Sequence, residues 1–448
     1  MAALPPTRVP RWIGACALLV ACAAPPRVNG DDDAGSNDGS VDTDDPADPV
    51  EASVDERLRA LVREAGAGRL PDLAPADPQI VAIGRELWFE PLLAPDQTPP
   101  KNLSCANCHA TLAHRGSTAP VSWHPGIGFP PRAGPNLSDV GRTPDLPMFA
   151  DGRASVDRIA AYGTDDTLVA AVLSAMASHD HAAAFSASDL AAAERSASRI
   201  RASRPWRRFL GSAAPGRSID TWTTVAMAEA IAAFMRGHFA SGRTAWDDWL
   251  GGDAEAMSTS AKRGGIDFFE VGCASCHTGA AFADGQTHVT GVPLLAIPGY
   301  PTDVGLAVHT GAEADRHHFR TSMLRNVALT PPYFHNGAYR TLAEAVRHHW
   351  DPDASVAGFD VTKLVPVNKI DGASVVEAWV PGWEKLQLAP DHATLANEAL
   401  ARVTWRPPAG EELTEARLRD LVAFLESLND RVWLERTTRV RVPVSQRP

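Results

Sequence analysis

The sequence predicts a mainly α protein with extensive ordered loops. Apolar residues recur at helical spacing in several segments, strand-like alternation is rare, and a Gly- and Pro-rich stretch from about 116 to 147 sustains no period. In chain order, Asp77-Pro78 offers a cap followed by a favoured first helical residue, after which Ile80, Ile83 and Leu87 share one face. Further helical patterns run over Leu168 to Met176, Val225 to Phe239 and Leu342 to His349. The clearest comes last: Thr414 caps a helix whose stripe is Leu418, Leu421, Val422, Leu425 and Leu428. No solenoid-type repeat is present.

Charge is distributed unevenly. The 448 residues carry a formal net charge of −12, but residues 31–56 hold eleven acids and no Lys or Arg, and residues 1–30 carry three Arg, which leaves −4 on residues 57–448. So nearly neutral a body excludes a basic nucleic-acid footprint, and no nucleic-acid partner is expected. A hydrophobic fraction of 44% suffices for large cores, and six cysteines in so long a chain exclude a disulfide scaffold. Near the start, Arg8 and Arg11 precede an apolar run, Trp12 to Ala24, which falls short of the roughly 20 residues of a spanning helix and fits an export signal. Within it, Leu19-Val20-Ala21-Cys22 resembles a bacterial lipobox, in which the signal is removed and the cysteine is lipidated. An ordinary signal peptide that happens to contain a cysteine is the alternative. The expected organisation is a signal peptide over 1–21, then a lipidated Cys22 and an acidic disordered tether over 22–56. The expected location is the periplasm or cell envelope, with membrane contact only through the N-terminal lipid.

One motif occurs twice. Cys105-Ala106-Asn107-Cys108-His109 and Cys273-Ala274-Ser275-Cys276-His277 both fit the pattern for covalent attachment of a c-type haem. Two thiols at this spacing add to the two vinyl groups on one porphyrin edge, and the next residue turns its imidazole under the iron. A zinc site could use four cysteines but would make the histidine after each pair a double coincidence. A disulfide explains neither histidine. Two covalently bound haem c groups are therefore expected, and the sixth position on each iron decides its use. Filled positions make an electron-transfer protein, whereas a vacated one admits peroxide.

From about residue 77 to 430 the chain resembles the bacterial di-haem cytochrome c peroxidase and MauG superfamily. Around the first haem motif the resemblance rests on Gly84-Arg85-Glu86-Leu87-Trp88-Phe89, Gly134-Pro135-Asn136 and Phe149-Ala150-Asp151-Gly152-Arg153. It continues through Ala256-Met257-Ser258, Ala261-Lys262-Arg263-Gly264, Phe282-Ala283-Asp284, Phe319 to Gly337, and Leu421 to Leu425. It implies two cytochrome-c-like haem domains, expected over 57–220 and 221–430, with a tail over 431–448. The first haem would react with peroxide and the second would accept electrons or share charge. His109 and His277 are implied as proximal ligands. His124 is implied as a loop histidine that fills the first distal site and leaves on activation, with a surface-loop histidine as the rival reading and His114 a weaker competitor. At the second haem the family uses Met or Tyr seven residues beyond the Leu that follows the FHNG-type segment. Counting from Leu342 gives His349, so a bis-histidine haem of lowered potential is implied, against a reading of His348 or His349 as polar helix surface. Calcium between the domains is implied on Asn136, Thr330 and Pro332, oxygen donors from separated segments.

Two positions depart from the family pattern. The Trp that commonly precedes the Asp-Gly-Arg turn is Ala150, and the distal-pocket Glu about nineteen residues after that Asp is Ala170. Cleaving an O–O bond needs a group that moves a proton between its oxygens. Asp165, Asp166, His179 and His181 are candidates, each with a plainer reading as helix cap or loop end. The expected function is reduction of hydrogen peroxide with electrons from a small c-type cytochrome or copper protein. MauG-like oxidation of Trp or Tyr in a partner protein is one alternative, and non-enzymatic di-haem electron transfer is the other. Peroxidases of this type often form dimers, so a homodimer is among the expectations.

Overall fold

The computed structural model describes residues 49–93, 104–109, 132, 137–155, 157, 159–177, 187–296, 302–363, 369–370, 373–374 and 387–430. Its helices, in chain order, are α1 (Pro49–Glu64), α2 (Pro78–Trp88), α3 (Cys105–Cys108), α4 (Thr167–Ala177), α5 (Ala187–Ala202), α6 (Arg204–Ala213), α7 (Thr224–His238), α8 (Ala245–Leu250), α9 (Thr259–Glu270), α10 (Ala307–Thr310), α11 (Leu342–Trp350), α12 (Pro352–Ala357), α13 (His392–Ala401) and α14 (Glu415–Ser427). Strands among the described residues are antiparallel two-residue pairs: β1 (Thr287–His288) with β3 (Phe319–Arg320), β2 (Leu295–Ala296) with β6 (Gln387–Leu388), and β4 (Lys369–Ile370) with β5 (Ala373–Ser374). The protein is mainly helical, as its periodicity predicts.

Two apolar cores organise these helices. The first is built on α2, α4, α5, α6 and α7, with Ile83, Leu87, Leu173, Trp206, Ile231 and Phe239 at its centre. The second is built on α1, α8, α9, α11 and α14, around Leu58, Trp246, Trp249, Phe268, Phe282 and Phe424. The caps expected from sequence are formed: Asp77 accepts from the Gln79 N–H at 2.8 Å, and Thr414 from the Arg417 N–H at 3.2 Å.

Each core has one very close helix crossing, made possible by a missing side chain. A Cβ on Gly84 would stand 1.7 Å from the Ala230 carbonyl oxygen where α2 meets α7, and one on Gly264 would stand 1.8 Å from the Asp420 oxygen where α9 meets α14. Backbone cannot yield as a side chain does. Gly84→Ala and Gly264→Ala are each expected to cost about 3 kcal/mol in chemical denaturation. Gly237→Ala serves as the control: it lies on α7 with nothing within 4 Å of a new Cβ, so it should be neutral or stabilise by up to about 1 kcal/mol.

Two expected boundaries are corrected. The tether read as reaching residue 56 stops earlier, because α1 begins at Pro49 and Asp55 is one of its ion-pairing residues, 2.6 Å from Arg59 and 3.3 Å from Lys262. Leu58 and Val62 on the same helix are buried in the second core. The division at 220/221 also falls within a core: α7 turns Met227, Ile231 and Phe234 against α2 and α4, so the first core runs to Phe239.

Candidate haem-binding sites

The second motif follows α9, whose N-terminus is capped by Ser258 accepting from the Ala261 N–H at 3.1 Å. The chain leaves the helix through Gly272, at φ 98°, a conformation that favours glycine, and enters a single tight turn over Cys273–Ser275. The His277 N–H donates to the Cys273 carbonyl at 3.0 Å, which folds the imidazole back over the turn. Its Nδ1–H donates to the Phe282 carbonyl at 3.0 Å and leaves Nε2 with the lone pair.

Facing it is the end of α11, started by a capping box between Thr341 and Glu344. His349 likewise uses Nδ1–H on a carbonyl, that of Ala345, at 2.9 Å. The His277 and His349 ring centres lie 6.4 Å apart. An iron between two imidazoles, with roughly 2 Å bonds and about 1.1 Å from nitrogen to ring centre, requires about 6.3 Å. Burial pushes His277 down to about 4, with the neighbouring His349 a second cause, and burial also lowers His349. Both rings are therefore neutral at pH 7, as ligation requires. Phe334 stacks on His349 at 5.1 Å and fixes its plane. His348, by contrast, has both nitrogens engaged, with the Tyr339 hydroxyl and the Thr290 carbonyl each at 2.9 Å. Of the two adjacent histidines, only His349 offers a ligand atom.

Between the rings opens a largely apolar cavity, lined by Cys273, Cys276, Met323, Leu324, Phe334, Trp405 and Leu425 among others. The size, the apolar wall, the paired thiols and the facing imidazoles fit a covalently held haem. Thr330 and Pro332 line the same cavity, and the Thr330 hydroxyl donates to the Val327 carbonyl at 3.1 Å.

The first motif sits on α3, with the His109 N–H donating to the Cys105 carbonyl at 2.9 Å, the same local turn as at the second. Trp88 lies 5.9 Å from the His109 ring, as Phe268 lies 6.4 Å from His277. Cys105 packs against the first core and Cys273 against the second. A smaller group, Cys276, Asp284 and His288, brings its ligand atoms within 4.8 Å of one another, but Cys276 is a thiol of the haem motif.

The family model described as "Di-haem cytochrome c peroxidase" matches residues 78–255. Methylamine utilization protein MauG of Methylophilus methylotrophus is 26% identical over 60% of this chain and 71% of that protein. Cytochrome c551 peroxidase of Nitrosomonas europaea is 29% identical over 61% and 73% respectively. The chain is thus similar to the di-haem cytochrome c peroxidases and MauG. A crystal structure of a MauG-like protein associated with microbial copper homeostasis shares the fold, with TM-score 0.53 and 24% identity over 82% of this chain and 94% of that one.

The peroxidase relatives and the family match support a peroxidase-like oxidoreductase. A di-haem family implies two c-type haems, and the two Cys-x-x-Cys-His turns are where they would attach. Several expected site residues, His114, His124, Asn136, His179 and His181, lie outside the described residues, as does the side chain of Cys108. Asp165 is exposed. Asp166 is a helix cap: its Oδ1 accepts from the Leu168 and Val169 N–H groups at 3.0 and 3.1 Å, and its Oδ2 pairs with Arg236. Ala170 is buried in α4 within the first core. Ala150 lines the cavity at the second motif, and its carbonyl accepts from the Arg320 N–H at 2.8 Å.

Beside Ala150 lies a buried ion network that sequence reasoning missed. Arg132 grips Asp303 through two bonds of 2.6 and 2.7 Å and reaches Asp151 at 2.5 Å, while Arg153 holds Asp151 at 2.8 Å. Burial opposes ionisation of Asp151, yet the charges of Arg132 and Arg153 hold it well below the usual carboxylate range. Asp151 and Arg153 stand in the Asp-Gly-Arg segment and carried that much signal. Nothing in the sequence linked them to Arg132 and Asp303.

Proposed function

We propose that the protein is an exported enzyme that reduces hydrogen peroxide with electrons from a small c-type cytochrome or copper protein. One haem would be held by each core: peroxide would react at Cys105–His109, and electrons would arrive at Cys273–His277. The observation that carries this reading is the facing pair His277 and His349, with ring centres 6.4 Å apart. A site closed by protein ligands on both faces cannot take peroxide, so it suits electron relay and leaves the reaction to the first site. The haems would supply the iron redox chemistry and, as a pair, the two reducing equivalents that peroxide consumes.

The side chains divide the remaining work. Cys273, Cys276, His277 and His349 would hold the relay haem, and the Phe334 ring keeps His349 in plane. Cys105, Cys108 and His109 would hold the other, with Trp88 packed beside the His109 ring, and His124 would be the loop group that yields to peroxide. For proton transfer between the peroxide oxygens, exposed Asp165 is a better candidate than Asp166, whose carboxylate already caps α4 and pairs with Arg236. A calcium ion on Asn136, Thr330 and Pro332 would sit at the wall of the relay cavity, which Thr330 and Pro332 line. No helix among the described residues is long and apolar enough to cross a membrane. The anchor would be the lipid on Cys22.

One observation favours a second reading. With Ala170 buried and Asp166 committed, neither supplies the acid–base group that efficient O–O cleavage needs. That suits MauG-like oxidation of Trp or Tyr in a partner protein, or simple electron transfer. Turnover separates these readings. The purified di-haem protein, given peroxide and a reduced small cytochrome c, is expected to oxidise two cytochromes per peroxide consumed. Peroxide loss without cytochrome oxidation would favour the partner-protein reading, and no peroxide loss would favour the carrier.

A further inference from the structure

We infer that Arg320 receives a propionate carboxylate of the haem at Cys273, Cys276 and His277, and that its fixed positive charge raises that haem's reduction potential. The inference rests on the proposed haem at the second motif.

Arg320 stands on β3 and is the only Lys or Arg among the described residues that line the cavity. Both of its ends are tied to the turn from the first core. The backbone N–H donates to the Ala150 carbonyl at 2.8 Å, and Nη1 donates to the Pro147 carbonyl at 2.8 Å. The guanidinium is thus held in place without being neutralised. Among the described residues, no carboxylate lies within ion-pair distance of it, and Asp151, the acid whose field it feels, is taken by Arg132 and Arg153. His288, another polar group on the wall, is occupied by Asp284 at 2.7 Å.

A half-buried guanidinium without an anion beside it is a costly arrangement. Burial pulls Arg320 down to about 10, which still leaves it charged at neutral pH. The missing partner has to come from whatever fills the cavity. A haem brings two carboxylates, and the planar guanidinium fork matches a carboxylate in two parallel bonds. A cation near the iron favours the reduced state, which offsets part of the low potential that two imidazole ligands confer. Because Arg320 also donates to Pro147, the relay haem would be hydrogen-bonded through one side chain to the segment that carries Ala150 and Asp151.

The test is a redox titration of the holoprotein, following the low-spin haem optically, in wild type, Arg320→Gln and Arg320→Lys. Arg320→Gln is expected to weaken reduction tenfold, a fall of 59 mV for one electron, while Arg320→Lys keeps most of the wild-type midpoint. An unchanged midpoint in Arg320→Gln, with both haems present, overturns the inference. So does a wild-type midpoint that follows chloride or phosphate concentration, because the anion on Arg320 would then come from solution. If Arg320→Gln loses the second haem, Arg320→Lys decides: retention supports a need for charge, and loss of haem there too assigns Arg320 only the structural tie to Pro147. The parent reading fails differently, through a wild-type protein that carries one haem or lacks a bis-histidine signal.

Discussion

Replacing His349 by Ala should convert one of the two haems from low-spin to high-spin and leave the other unchanged. The expectation rests on geometry rather than on residue type. His349 is held at its Nδ1 by the Ala345 carbonyl and stacked by Phe334, which leaves Nε2 as its ligand atom, and its ring centre stands 6.4 Å from that of His277. Optical and EPR spectra of the oxidised protein read the change directly. His349→Met should instead stay low-spin and shift to higher potential, because a thioether favours the ferrous state. His348→Ala is the informative control. Its ring nitrogens are already bonded to Tyr339 and Thr290, so its loss should cost about 1–3 kcal/mol of stability and leave the spectrum intact. A spectral change in His348→Ala, with none in His349→Ala, would reverse the ligand assignment.

The second large effect is an asymmetry between the two motifs. Cys105→Ala with Cys108→Ala, and Cys273→Ala with Cys276→Ala, should each lower the covalent haem content from two per chain to one. The consequences differ. The first pair should take peroxide turnover to background while the bis-histidine signal survives. The second should remove that signal and cut turnover with cytochrome as donor, while the surviving haem still responds to peroxide. Cys105 and Cys273 belong to separate cores, so loss of one haem need not unfold the other half. Haem content by denaturing-gel haem stain, together with peroxide assays on both variants, distinguishes these outcomes. Identical behaviour of the two pairs would mean that the cores share one role.

How much of this was legible beforehand follows from which interactions are local. The turn at Cys273–His277 closes through a bond between its first and last residues, and the spacing alone announced it. His349 was singled out through the family resemblance, which counts seven residues from Leu342, and both residues lie on α11. The caps at Asp77 and Thr414 are likewise local. The missed features are those in which distant segments meet. Helix α5, rich in Ala, Ser and Arg, shows little apolar contrast, yet Ala193, Ala197 and Ile200 on it are buried because small side chains let α4 approach. Helix α1 was hidden by the charge of its neighbours, although Leu58 and Val62 place it in the second core. The Arg132–Asp303 pair spans 171 positions, and no period or motif connects residues so far apart. The role of Arg320 depends on what it lacks, a carboxylate, and absence of a partner cannot be read from a string.

The central claim is a division of labour between a site closed by two histidines and a site that opens to peroxide. EPR of the half-reduced protein, before and after one equivalent of hydrogen peroxide, tests it most directly. The account predicts that half-reduction removes the low-spin ferric signal of the His277–His349 site while the other haem gives a high-spin ferric signal, and that peroxide consumes the high-spin signal and restores the His277–His349 signal with its original g-values. Two haems that remain low-spin in every reduction state and ignore peroxide would contradict it.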